Sequence, residues 1–153
     1  GARSFAGRVT VSGPPWVLEG CPLKPTALAA RGKDLYAAVF NGAVQPGGVL
    51  FSHSTDGGRS FGEAIKLHPE AAVSDAPALA ATGRGVYAFW HAKAGGERRV
   101  FMRTSTAAGD ALGPVAELAA PEGPGSWPAA APAPDDGAVV VWQQGEQILA
   151  DKV

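Results

Sequence analysis

The sequence predicts an all-β fold assembled from three copies of one structural unit. Three observations carry that expectation. The chain is rich in turn formers, with 21 glycines and 13 prolines in 153 residues, yet 46% of it is hydrophobic, enough to bury a core. Short apolar runs dense in Val, Phe, Tyr and Trp are bounded by Gly, Pro, Asp and Ser. These runs recur in the same order at nearly the same spacing, with 52 and 51 residues between successive prolines.

Each unit opens on a proline: Pro25-Thr26-Ala27-Leu28-Ala29-Ala30, Pro77-Ala78-Leu79-Ala80-Ala81 and Pro128-Ala129-Ala130-Ala131. A turn follows, Gly32-Lys33-Asp34, Gly83-Arg84-Gly85 or Asp135-Asp136-Gly137, and then a second strand. The second strands are Leu35-Tyr36-Ala37-Ala38-Val39-Phe40, Val86-Tyr87-Ala88-Phe89-Trp90 and Ala138-Val139-Val140-Val141-Trp142. Both parities of these strands are apolar, which suits a sheet covered on both faces. Third strands begin at Val49, Val100 and Ile148. A four-stranded unit recurring at this period and packed on both faces is a propeller blade. A β-sandwich would not require the self-similarity.

The third and fourth strands of the first unit flank Ser54-Thr55-Asp56-Gly57-Gly58-Arg59-Ser60-Phe61. This is the S-x-D-x-G-x-x-[WF] pattern, and by it the chain resembles the sialidase-like Asp-box β-propeller superfamily. The second copy, Ser105 to Leu112, keeps Ser105, Gly109 and Leu112 but has lost the aspartate. In the box, Ser54, Asp56, Gly58 and Phe61 are structural: Asp56 accepts backbone N–H groups of its own turn, Gly58 supplies positive φ, and Phe61 plugs between sheets. The resemblance places this hairpin opposite the ligand face and implies a secreted or periplasmic protein.

Gly1-Ala2-Arg3-Ser4-Phe5 matches Gly57-Gly58-Arg59-Ser60-Phe61, so the chain opens in the second half of such a hairpin, with Val9 and Val11 as an outer strand. The expected organisation is one three-blade unit: 1–13 an outer strand completing a blade of the partner, 14–68 the first blade, 69–120 the second, and 121–153 a third lacking its outer strand. Propellers usually have four to eight blades. The expectation is therefore a homodimer closing one six-bladed ring by reciprocal strand exchange. A piece of a longer propeller is the competing reading.

Propeller geometry puts the loops before the first strand and after the second on one face of the ring. Lys24, Asp75 and Trp127 come from the first set; Asn41, His91, Gln143 and Gln144 come from the second. This polar and aromatic mixture suits a glycan or another polar small ligand. Trp90 and Trp142 match in position and are expected in the core. Trp127, in Gly-Ser-Trp-Pro, is the candidate exposed platform. Sialidase chemistry would need three substrate-binding arginines, a tyrosine nucleophile with its glutamate, and an aspartate acid/base. No motif assigns them, and Tyr36 with Tyr87 read as repeat packing. The expected function is a non-catalytic binding scaffold; the alternative is a sialidase-like glycoside hydrolase or a truncated piece of one.

Other features exclude more than they suggest. A formal net charge of −1 gives no footprint for nucleic acid. No apolar run approaches a membrane span. The single cysteine, Cys21, precludes an intrachain disulfide and reads as a packed thiol. His53, His68 and His91 lack metal spacing and are expected on exposed loops. Arg98, Arg99 and Arg103 read as a solvated basic spot. Neither Gly47-Gly48 nor Gly95-Gly96 leads into a helix, so neither cradles phosphate. No metal or cofactor is expected.

Overall fold

Eleven strands form three antiparallel sheets in a computed structural model that describes residues 7–11, 13–17, 24–45, 47–70, 73–106, 109, 111–118 and 122–153. The first sheet contains β1 (Ala27–Arg31), β2 (Asp34–Asn41), β3 (Gly48–Ser54) and β4 (Ile65–Lys66), paired in chain order. The second repeats that order with β5 (Ser74–Thr82), β6 (Gly85–Ala94), β7 (Glu97–Thr104) and β8 (Ala116–Glu117). The third has three strands, β9 (Gly125–Pro132), β10 (Ala138–Gln144) and β11 (Gln147–Lys152). Each sheet is a meander of neighbouring strands; short turns join the first strand to the second, and longer connections, 55–64 and 105–115, lead to β4 and β8.

The sheets stack in chain order through two cores. Tyr36, Ala38 and Phe51 of the first sheet meet Val86, Ala88, Trp90 and Phe101 of the second. Phe89, Ala80 and Val100, from the other side of the second sheet, meet Ala138, Val140 and Trp142 of the third. Both expected core tryptophans are buried. Strands β1, β5 and β9 adjoin one another in that order, so all three first strands line the same side of the stack.

The cores explain why glycine recurs beyond the hairpins. Gly109 has φ +73°, and a Cβ there would lie 2.7 Å from the Tyr36 ring and 2.8 Å from His53. The second sheet's hairpin thus rests on the first sheet only because that position has no side chain.

Within the single chain residues 7–11 belong to no strand. They lie along the first sheet, where the Val11 carbonyl accepts the Ser52 hydroxyl. A lone outer strand needs a third strand beside it, and β11, which has an open edge, is at the far end of the stack. The three arginines do not form one spot. Arg103 donates to the carbonyls of Gly113 (2.6 Å), Leu112 (3.2 Å) and Leu67 (3.3 Å), clamping the second sheet to the first. Arg99 instead pairs with Glu117 at 2.9 Å. The histidines are not loop residues at the surface: His53 and His91 are in strands, and His68 accepts the Trp90 indole N–H at 3.1 Å. Cys21 and the matched segment Gly1–Phe5 lie outside the described residues.

Candidate functional site

At one end of the strands, side chains from all three sheets converge. Lys24, just before β1, pairs with the Asp75 carboxylate at the start of β5 and sits 4.4 Å over the Phe40 ring at the end of β2. Asp75 is opposite His91 in the β5–β6 register. Across the next joint, His91 Nδ1 accepts the Trp127 backbone N–H at 3.2 Å, and the two rings meet edge to face at 5.2 Å. Four of the seven expected site residues therefore form one chain of contacts, Lys24 to Asp75 to His91 to Trp127.

The local cause is the repeat proline. Proline cannot donate to a ladder, so it falls at a bulge. The β5–β6 register slips between Asp75 and Ala78, and the β9–β10 register slips opposite Trp127 and Pro128. Ala76 and Trp127, each directly before its proline, take positive φ of 49° and 55°. For tryptophan that conformation is an outlier, costing roughly 1–3 kcal/mol, and such strain gathers where a side chain must be aimed. The Asp75 carboxylate accepts the Ala76 N–H at 2.8 Å, which holds the first bulge. The second bulge turns the Trp127 indole outward, 48% exposed, while its neighbours are buried.

Beside this chain lies a cavity of about 300 Å³ lined by Lys24, Val73, Asp75, His91, Lys93 and Arg98. Burial, aided by the Arg98 charge, pushes the His91 pKa down to about 4. The ring is thus neutral at neutral pH, and because Nδ1 accepts a hydrogen bond its proton is on Nε2. The site offers cationic donors, one neutral imidazole, one carboxylate already paired, and an exposed indole. That set binds hydroxyls and anionic groups by hydrogen bonds and presents a stacking surface.

The other three expected residues do not join it. Asn41 is buried; its amide donates to the Pro14 carbonyl at 3.0 Å and its oxygen accepts the Ala43 N–H at 2.8 Å. Gln144 accepts the buried Trp142 indole N–H at 3.0 Å. Gln143 is exposed on the open side of the third sheet and donates to the Gly145 carbonyl. Sequence reasoning missed Lys93 and Arg98. Their only signal is the hairpin at Gly95-Gly96, which folds β6 and β7 back over His91.

The turn at Asp56 occupies the opposite end of the strands, where Ser54 pairs with Leu35. Asp56 Oδ1 accepts N–H groups of Arg59 (2.8 Å) and Ser60 (3.0 Å) and the Ser54 hydroxyl (2.8 Å), while Oδ2 accepts the Ser60 hydroxyl (2.7 Å). These bonds, those from Ser60 foremost, hold the carboxyl well below the ordinary carboxylate range. Gly58 has φ +82° and donates to Ser54 Oγ. Phe61 is only half-buried and lines a cavity of about 530 Å³ rather than filling it. In the second sheet, Ser105 Oγ accepts the Val86 N–H, and the Gly109 N–H, whose counterpart at Gly58 donates to Ser54 Oγ, donates to the Thr106 carbonyl instead.

Among the described residues, no group of three or more His, Cys, Asp or Glu is placed to hold a metal ion, and no helix is long and apolar enough to cross a membrane. No known family's sequence pattern matches the chain, and no curated protein matches it either. Similar solved structures include the leech intramolecular trans-sialidase in complex with 2,7-anhydro-Neu5Ac, at 9% identity and TM-score 0.49. The likeness covers 84% of this chain and 22% of that one. Another is the intramolecular trans-sialidase from Ruminococcus gnavus in complex with oseltamivir carboxylate, at 12% identity and TM-score 0.45, covering 84% and 31%. The chain spans less than a third of the length of either structure.

Proposed function

We propose that this chain is a non-catalytic binding unit that takes a carbohydrate, or a chemically similar polar ligand, at the strand-end cluster of Lys24, Asp75, His91 and Trp127. The observation that carries the reading is the Trp127 indole, exposed and held by a strained bulge beside a cavity whose lining includes Lys24, Asp75, His91, Lys93 and Arg98. A sugar ring would stack on the indole, with its hydroxyls reaching the neighbouring donors. Lys24, Lys93 and Arg98 outnumber the single carboxylate of the lining, which favours a ligand bearing an acidic group. Hydrolysis at this cavity has less support. Glycosidases generally flank the scissile bond with two carboxylates, and Asp75 is the one carboxylate among the described lining residues. Tyr36 is fully buried and Tyr87 bonds the Asp136 carbonyl, far from the cavity. A secreted or periplasmic setting, where such ligands are met, belongs to the same reading.

The test is an array of neutral and acidic glycans, with a fluorogenic sialoside panel run beside it. Binding is expected, preferentially to acidic glycans, with Trp127→Ala weakening it about tenfold. Binding untouched by that substitution would sink the platform assignment, and turnover above buffer would replace the binding reading with the hydrolytic one.

A further inference from the structure

We propose that the open face of the third sheet docks the outer face of the first sheet of a second copy, beside the segment that precedes β1, so that two chains close one ring of six sheets. The argument rests on the two joints already present. At the first, residues of the type Tyr36 and Ala38 pack against Val86, Ala88 and Trp90. At the second, Tyr87 and Phe89, which lie 51 residues after that pair, pack against Ala138, Val140 and Trp142, which lie 52 residues after that trio. Each joint therefore mates the same two repeat faces. The third sheet's uncovered face carries Val139, Val141 and Gln143, the equivalents of Tyr87, Phe89 and His91. The first sheet's outer face carries Leu35, Ala37 and Val39, the equivalents of Val86, Ala88 and Trp90; Ala37 is already buried there, while Leu35 and Val39 are half-buried and Leu28 is exposed. One chain thus presents both halves of its own recurring joint, at opposite ends.

Both halves leave apolar surface in water. On the third sheet, Val139 and Val141 are each 37% exposed and Ile148 is 71% exposed; on the first, Leu28 is 66% exposed. The turns that would meet differ in charge, although Asp135 is already paired with Lys152 and Asp56 shares the recess of the first sheet. The turn at the end of the third sheet carries Asp135 and Asp136, while the equivalent turn of the first carries Lys33, with Arg8 and Arg59 lining the same recess. Turn-to-turn contacts already occur at the existing joints: Arg31 donates to the Gly83 carbonyl at 3.0 Å, and the Gly83 N–H donates to Asp136 at 2.9 Å.

The segment before β1 fits the same assembly. It runs along the open side of the first sheet, held by Ser52 and Asn41 and by the edge-to-face pair of Trp16 and Phe40 at 5.3 Å. In the closed pair, residues 7–11 of one copy lie beside β11 of the other. There they supply the outer strand that β4 and β8 supply to the first two sheets. Because each copy offers one face of each kind, two contacts related by a two-fold axis close the ring and leave no open end.

Light scattering on a sizing column across a tenfold dilution tests the assembly. The expected result is a species of twice 15.5 kDa. Leu28→Lys and Val141→Lys, both at exposed positions, are each expected to give monomers with an unchanged far-ultraviolet circular dichroism spectrum. Mixing the two variants should recover part of the dimer, because one of the two contacts then has wild-type residues on both sides. A wild-type monomer would overturn the proposal, as would an open polymer, which means the rotation does not close at two. A dimer insensitive to Leu28→Lys would overturn it too, since that dimer uses the third sheet's face alone. Occupation of these faces by further sheets of a longer chain would appear as a monomer of this one.

Discussion

Strands β6 and β10 have much the same kind of sequence and opposite fates. Val86-Tyr87-Ala88-Phe89-Trp90 and Ala138-Val139-Val140-Val141-Trp142 are apolar at both parities. In β6 both faces are covered, by the first sheet on one side and the third on the other, and burial is nearly continuous. In β10 burial alternates strictly, because only one side has a neighbour. An apolar strand is thus evidence of what a sheet is built to meet, and the packing decides whether the partner lies within the chain.

The largest expected effect separates these strands directly. Phe89→Ala empties a fully buried site between two sheets and should cost about 3–5 kcal/mol in urea unfolding. The equivalent change in β10, Val141→Ala, should cost roughly 1 kcal/mol or less in dilute solution. Its cost should rise with protein concentration if a second copy covers the face; equal costs at the two positions under dilute conditions would break the comparison. Next comes Gly109→Ala. It places a methyl group against Tyr36 and His53 at a positive φ, for an expected loss of about 2 kcal/mol by the same measurement. A neutral result would mean that the hairpin does not rest on the first sheet.

The smallest effect is a slope. The His91 pKa is about 4 in the fold, against about 6.5 in an unfolded chain. As pH falls below about 6.5 the unfolded chain takes up a proton that the folded chain refuses, so this contribution to stability declines until pH reaches about 4. His91→Gln should flatten thermal stability across that window, leaving the part due to His68, whose pKa burial also lowers. An unchanged slope would place His91 in water.

Much of the fold was legible in the residues. The repeat at 51–52 residues, the strands and the turns are local properties, set by apolar alternation and by Gly, Asp and Pro, and they appear where the pattern puts them. The candidate site was legible in part. Lys24, Asp75, His91 and Trp127 were found because they stand at fixed places relative to the repeat proline, and such places come together when like units stack. Asn41 and Gln144 occupy similar places, yet their amides are consumed by the Pro14 carbonyl and the Trp142 indole. Phe61 and Arg103 were misjudged for a related reason: how far a long side chain reaches, and which carbonyls face it, depends on the neighbouring sheet.

What the sequence determined alone is the unit: its strand order, its turns, and the proline that forces a bulge, all consequences of backbone preference within a few residues. Tertiary structure decided the rest. It turned Trp127 outward through a strained dihedral, lowered the His91 pKa by burial, and covered one face of β10 but not the other. Each of these depends on what packs against a residue from another unit, and dielectric, strain and exposure are properties of that contact.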